Sequence, residues 1–147
     1  MKESYPFVYH QKVNWGDMDA LAHVNNTVYF KWFEDARLHI FKNLDIASVT
    51  TSSPTGPILA YIDCQFAKAL TYPDQIIVGS WIPKIGNTSM EISHVTYSEV
   101  KRSIVAKSKS IVVMVDYQIG QKVAIPEEWR KRIDQIQEGF SLDSLST

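Results

Sequence analysis

Apolar and polar positions along the chain change their rhythm several times. Residues 7–15, FVYHQKVNW, alternate loosely, with Phe7, Tyr9, Val13 and Trp15 on one side, which predicts a half-buried strand. Residues 26–44, NTVYFKWFEDARLHIFKNL, repeat instead every three to four positions, through Phe30, Phe33 and Ile40 flanked by Tyr29, Trp32 and Ala36. That spacing and length predict a helix of about four to five turns. Its apolar face is wide and aromatic, so the helix is expected to be covered on most sides. Residues 48–57, SVTTSSPTGP, are loop chemistry.

Four strand-like runs follow. Ile58, Ala60, Ile62, Cys64 and Phe66 alternate in residues 58–69, and residues 75–83 are β-rich and are expected to stop at Pro83. Gly86-Asn87 signals a turn. In residues 88–100, Met90, Ile92, His94 and Thr96 alternate with Glu91, Ser93, Val95 and Tyr97. Lys101-Arg102 opens a polar break before the run 104–117. Pro126 followed by two glutamates is a good start for a terminal helix. The order is strand, long helix, four strands, helix. It predicts a single α+β domain over residues 1–147, a sheet wrapped against the long helix, and an open edge that favours oligomers.

Composition narrows the function classes. A chain of 147 residues suits one core, and 15 basic against 16 acidic side chains give no general reason to bind nucleic acid or an anionic membrane. The first ten residues carry no apolar signal segment, and no run approaches the ~20 apolar residues of a membrane span. The lone cysteine, Cys64, excludes an internal disulfide and fits a reducing cytoplasm; in its strand it reads as a small packed side chain.

The chemistry gathers in Trp15 to Asn26, WGDMDALAHVNN, directly before the long helix. Asp17, Asp19 and His23 are suitable metal ligands, but no second histidine stands at helical spacing nearby, and no metal or cofactor is expected. A structural reading gives Asn25 or Asn26 the helix cap and Asp17 or Asp19 a tight turn around Gly16. A catalytic reading accounts for more of the group together. Free N–H donors at the start of a buried helix can hold an oxyanion, and a carboxylate beside them can attack a carbonyl or activate water. The chain has no G-x-S-x-G elbow.

The stretch from Trp15 to Arg37, WGDMDALAHVNNTVYFKWFEDAR, resembles the signature of the 4-hydroxybenzoyl-CoA thioesterase-like group of hotdog acyl-CoA thioesterases. That signature runs from an aromatic or small residue through Asp-x-Asp, His-x-Asn-Asn and an aromatic to Glu-x-x-Arg. Residues 61–97 and 106–133 also resemble the later strands and last helix of the family. The resemblance implies a hotdog: a curved antiparallel sheet around one long central helix, paired into homodimers or homotetramers with sites between subunits. It implies an acyl-CoA substrate and hydrolysis to a carboxylic acid and CoA. The catalytic carboxylate falls on Asp19, and the polarising amide lies near Asn26. His23 and Asn25 fall into positioning roles, Asp17 into loop structure, and Tyr29 into lining the acyl pocket. Gly56 is expected to admit a close approach of backbone to substrate.

Some hotdog thioesterases place the carboxylate on the central helix. Glu34 is that candidate here, although Arg37 three residues on predicts an ion pair instead. Lys84, Lys101 and Arg102 are candidates for the CoA phosphates and equally for solvated turn charges. Two other readings stay open: a hotdog dehydratase or hydratase pairing His23 with Asp19, and a module that binds acyl-CoA without turnover.

Overall fold

The computed structural model describes residues 4–44 and 54–145. Strand β1 (Phe7–Lys12) leads through a single 3-10 turn (Trp15–Asp17) and a loop into helix α1 (Asn26–Asn43). Strands β2 (Thr55–Phe66), β3 (Gln75–Ile85), β4 (Ser89–Ser98) and β5 (Ser103–Asp116) follow, then a two-residue β6 (Gln121–Lys122), helix α2 (Glu127–Ile136) and a last 3-10 turn. The sheet is antiparallel, in the order β1-β3-β4-β5-β2, with β6 hydrogen-bonded to β5. One long helix against an antiparallel sheet is the arrangement expected of a hotdog.

Helix α1 forms where the 3.6-residue period demands it. Tyr29, Trp32, Phe33, Ala36, Arg37, Ile40 and Phe41 are its buried face, while Lys31, Glu34, Leu38 and Lys42 are exposed. The protomer therefore covers one side of the helix rather than most sides. Two core clusters divide its length. Tyr29, Trp32, Phe33 and Ala36 pack with Val24, Leu70, Ile76, Val78 and Val105. Ile40, Phe41 and Leu44 pack with Met90, Ile92, Met114 and, from α2, Trp129 and Ile133. Phe33 is fully buried, a burial that contributes about 1.5–3 kcal/mol.

Several boundaries differ from the sequence pattern for physical reasons. β1 ends at Lys12 because the chain turns at Asn14, and Trp15 is 72% exposed instead of facing the core. β3 continues past Pro83 to Ile85 through a register shift between Trp81 and Lys84. The Ile82 backbone is served by the Gln137 amide beyond α2: Ile82 N–H donates to Oε1 at 2.6 Å, and Nε2 donates to Ile82 O at 3.0 Å. A side chain thus replaces the ladder bonds that the bulge removes. The expected loop 48–57 lies outside the described residues through position 53; residues 55–57 belong to β2. β2 is an edge strand, and Ile58, Leu59, Tyr61 and Phe66 along it are exposed.

Candidate active site

The polar loop is held by its own side chains. Asp17 Oδ2 accepts the Asn14 N–H at 2.8 Å and closes the 3-10 turn as a capping box. Asp19 N–H donates to His23 O at 2.9 Å and Ala22 N–H to Asp19 O at 3.0 Å, a tight turn with Ala22 at φ 63°. A left-handed alanine costs about 1–2 kcal/mol, which these bonds must offset. Asp19 Oδ1 accepts the Leu21 N–H at 2.9 Å, so this carboxylate shapes an Asx turn. Its other oxygen has no hydrogen-bond partner among the described residues, and the residue is exposed. Val24 N–H donates to Leu70 O at 2.9 Å and Asn25 N–H to Asp17 O at 3.0 Å, which fixes the loop's exit.

Asn25 is the cap of α1: its Oδ1 accepts the Thr27 N–H at 2.9 Å and the Thr27 hydroxyl at 2.8 Å. Asn26 begins the helix, and among the described residues no acceptor meets its N–H. That donor stands at the positive end of an 18-residue helix. A cleft of about 240 Å³ opens beside it, lined by Val24, Asn26, Tyr29, Phe66, Ala67, Lys68 and Ala69. Tyr29 is 3% exposed, with its ring 5.0 Å from Phe66 and 5.2 Å from Trp32. Burial, with a smaller contribution from Cys64, pushes its hydroxyl up to about 12, so Tyr29 presents a neutral wall.

The structure brings Asn26 and Tyr29 together in this cleft. Asp19, His23 and Asn25 stand in the loop leading to it and are not on its wall within one protomer. His23 is exposed, and no hydrogen bond joins its ring to Asp19. Gly56 takes no part in the cleft. It lies ten residues from Phe66 along β2, about 33 Å of strand, and a Cβ there would stand 2.8 Å from Cε2 of Tyr117. The close approach it permits is to Tyr117, whose hydroxyl donates to Pro57 O at 2.8 Å. Ala67, Lys68 and Ala69 were not singled out in the sequence, and Phe66 only as a strand position; their signal is their place at and directly after the end of a strand that stops level with the helix start.

The remaining candidates separate in the same way. Glu34 pairs with Lys31 at 2.8 Å on the exposed side of α1, and that hydrogen bond holds its carboxyl below the usual range. The expected Glu34–Arg37 pair is therefore not formed. Arg37 turns inward and donates from Nη1 to Ser110 Oγ at 3.3 Å. Burial pushes the Cys64 thiol up to about 11, with Asp63 adding to it, which makes Cys64 a packed thiol. Lys101 and Arg102 form the β4–β5 turn, Arg102 at φ 52°. Among the described residues no group of three or more His, Cys, Asp or Glu side chains could hold a metal ion, and no helix is long and apolar enough to cross a membrane.

The chain is similar to known proteins over most of its length. The family profile described as the thioesterase-like superfamily matches residues 13–133. The long-chain acyl-CoA thioesterase FadM of Escherichia coli is 23% identical over 125 residues, 85% of this chain and 95% of that protein. A Thermus thermophilus thioesterase solved with coenzyme A and zinc superposes with a TM-score of 0.81 at 23% identity, over 92% of this chain and 97% of that one. A thioesterase-superfamily structure from Jannaschia gives a TM-score of 0.83 at 19% identity, over 92% and 86%. These likenesses establish the hotdog fold.

Proposed function

Since the chain belongs to the thioesterase-like superfamily, we propose that it hydrolyses an acyl-CoA thioester to a free carboxylic acid and coenzyme A. The observation that carries this reading is the Asn26 N–H, without an acceptor among the described residues, at the start of a buried helix and opening into an apolar cleft. A thioester carbonyl seated there accepts the Asn26 N–H, and the helix dipole stabilises the negative charge that develops on its oxygen. Asp19 supplies the carboxylate. It either attacks the carbonyl carbon, expelling the CoA thiolate and leaving a mixed anhydride that water cleaves, or takes a proton from the water that attacks. Asn25 holds the amide in place by capping, and Tyr29 closes the acyl side of the cleft without adding charge.

Within this reading the working unit is a homodimer, or a tetramer of such dimers. β2 is an edge strand and carries exposed Ile58, Leu59 and Tyr61, a surface suited to pairing with the β2 edge of a second copy about a two-fold axis. Such pairing would cover Phe66 and complete the cleft.

A panel of acyl-CoAs, from short through long chain and aromatic, assayed for thiol release, tests the activity. Release from at least one class is expected. Loss of the conjugated absorbance of crotonyl-CoA without thiol release would assign a hydratase instead. Tight binding with no release at any chain length would assign a carrier.

A further inference from the structure

We infer that a second cleft, at the far end of α1 from Asn26, binds a small organic anion: an oxyanion carried on an apolar body. This cleft has a volume of about 630 Å³ and opens between the edge strand β1 and the C-terminal halves of α1 and α2. That volume falls within the range of about 300–1,000 Å³ common for small-molecule sites. His39 on its wall stands thirteen residues after Asn26, about 20 Å along the helix, so the two clefts are separate. Five of the eight lining residues fall outside residues 13–133, the segment that matches the family profile.

The lining divides by chemistry. Phe7, Val8 and Ile136, with Pro6, make an apolar wall. His39, Asn43, Arg132 and Gln135 supply the polar groups, and no lining residue is acidic. Among the described residues no carboxylate lies within 4 Å of Arg132, and no acceptor meets its guanidinium. Glu128 stands four positions earlier on α2, at the spacing of a helical ion pair, yet does not come within that distance. The five N–H donors of Arg132 therefore stay open to a ligand. Asn43 Nδ2 donates to His39 O at 3.1 Å, and the Tyr9 ring lies 6.0 Å from the imidazole, which holds both groups at the cleft.

Positive charge here exceeds what the fold itself requires. Burial, then Lys42 and His10, hold the half-buried His39 imidazole below its ordinary pKa, and no carboxylate offsets them. Asp35, one turn earlier on α1, is paired with Lys31 at 3.6 Å. Lys42 lies in the last turn of α1, where it answers the carbonyl end of that helix. Arg132 comes before the last turn of α2, which carries no basic residue, so the end of α2 does not account for it. An incoming carboxylate or phosphate accepts paired N–H bonds from the guanidinium fork, and its apolar body lies along Phe7, Val8 and Ile136. The imidazole and the Asn43 and Gln135 amides flank the anion. A bound anion favours the protonated imidazole and raises the pKa of His39.

The test is an NMR titration of the native protein with octanoate, octyl phosphate, octanol and inorganic phosphate, read at the His39 ring, whose signal His39→Gln identifies. At least one amphiphilic anion should bind about tenfold or more tightly than octanol and inorganic phosphate, and should raise the His39 pKa at saturation. The tighter of the two anions tells a carboxylate site from a phosphate site. Arg132→Gln, at an exposed position, should weaken that binding about tenfold or more. Gln135→Glu keeps Arg132 and sets a carboxylate three residues from it, which should displace the anion by pairing with the guanidinium. That variant serves if Arg132→Gln does not fold. Octanoate held in the cleft beside Asn26 would survive both changes, so an affinity unchanged in the variants overturns the inference. Octanol binding as tightly as the anions overturns it too, as does no response of the His39 ring to either anion at up to about 5 mM.

Discussion

Asp19→Asn separates the structural work of this carboxylate from its proposed chemical work. Asp19 Oδ1 accepts the Leu21 N–H at 2.9 Å, and an asparagine carbonyl oxygen can accept the same bond. The other oxygen has no hydrogen-bond partner among the described residues and the residue is exposed, so the exchange leaves no buried group unsatisfied. The stability change should stay within about 0.5 kcal/mol, as for an ordinary surface substitution. On a chain of this size that moves Tm by no more than about 2 °C. Loss of a general base or nucleophile is a different magnitude: a fall of about 10²–10⁴ in kcat. At about 1.4 kcal/mol per tenfold, the fall corresponds to roughly 2.8–5.6 kcal/mol of barrier. The assay is thiol release at saturating acyl-CoA beside a thermal melt, run in parallel on Glu34→Gln. Glu34 is in an exposed, solvent-screened pair with Lys31, and its variant should turn over normally. An Asp19→Asn protein with kcat within about threefold of native, set beside an inactive Glu34→Gln, refutes the reasoning and moves the chemistry to the helix.

Asn25→Ala removes the cap of α1 and should cost about 1 kcal/mol, read as a lower denaturant midpoint with an unchanged slope; an unaltered midpoint would deny the cap its role. His94 should make stability fall with acid. Burial, reinforced by Arg37, pulls its pKa from the ordinary 6.5 to about 3, so between these values the unfolded chain binds a proton that the folded one refuses. The stabilisation is complete above pH 6.5 and is lost progressively as pH falls toward 3. His39, also lowered by burial, acts in the same direction, so His94→Asn should flatten the urea midpoint against pH in that window without abolishing the slope. An equally steep profile in the variant would show that His94 is not the group responsible.

How much was legible in the sequence depended on how local the cause was. Helix α1 could be read to within a residue because its period, its asparagine cap and its length are all properties of contiguous chain. The alternation of Met90, Ile92, His94 and Thr96 likewise matches the buried side of β4. The two-residue β6 was not legible, since it is defined by pairing with Val115 and Asp116 rather than by a pattern of its own. Nor was the run of β3 past Pro83, which relies on Gln137, fifty-five positions on. Glu34 and Arg37 stand at ion-pair spacing, but spacing does not report that Lys31 competes for the carboxylate or that Ser110 draws the guanidinium inward.

From the sequence alone came the two helices, the five longer strands, their order and the concentration of polar groups before the helix, because propensity, capping and periodicity act over a few neighbouring residues. Tertiary structure decided which donor stays free and what faces it. The Asn26 amide and the Phe66 and Lys68 walls acquire their meaning from β2 returning beside the helix. That return closes contacts across dozens of residues, and no local pattern encodes which side chains will meet there.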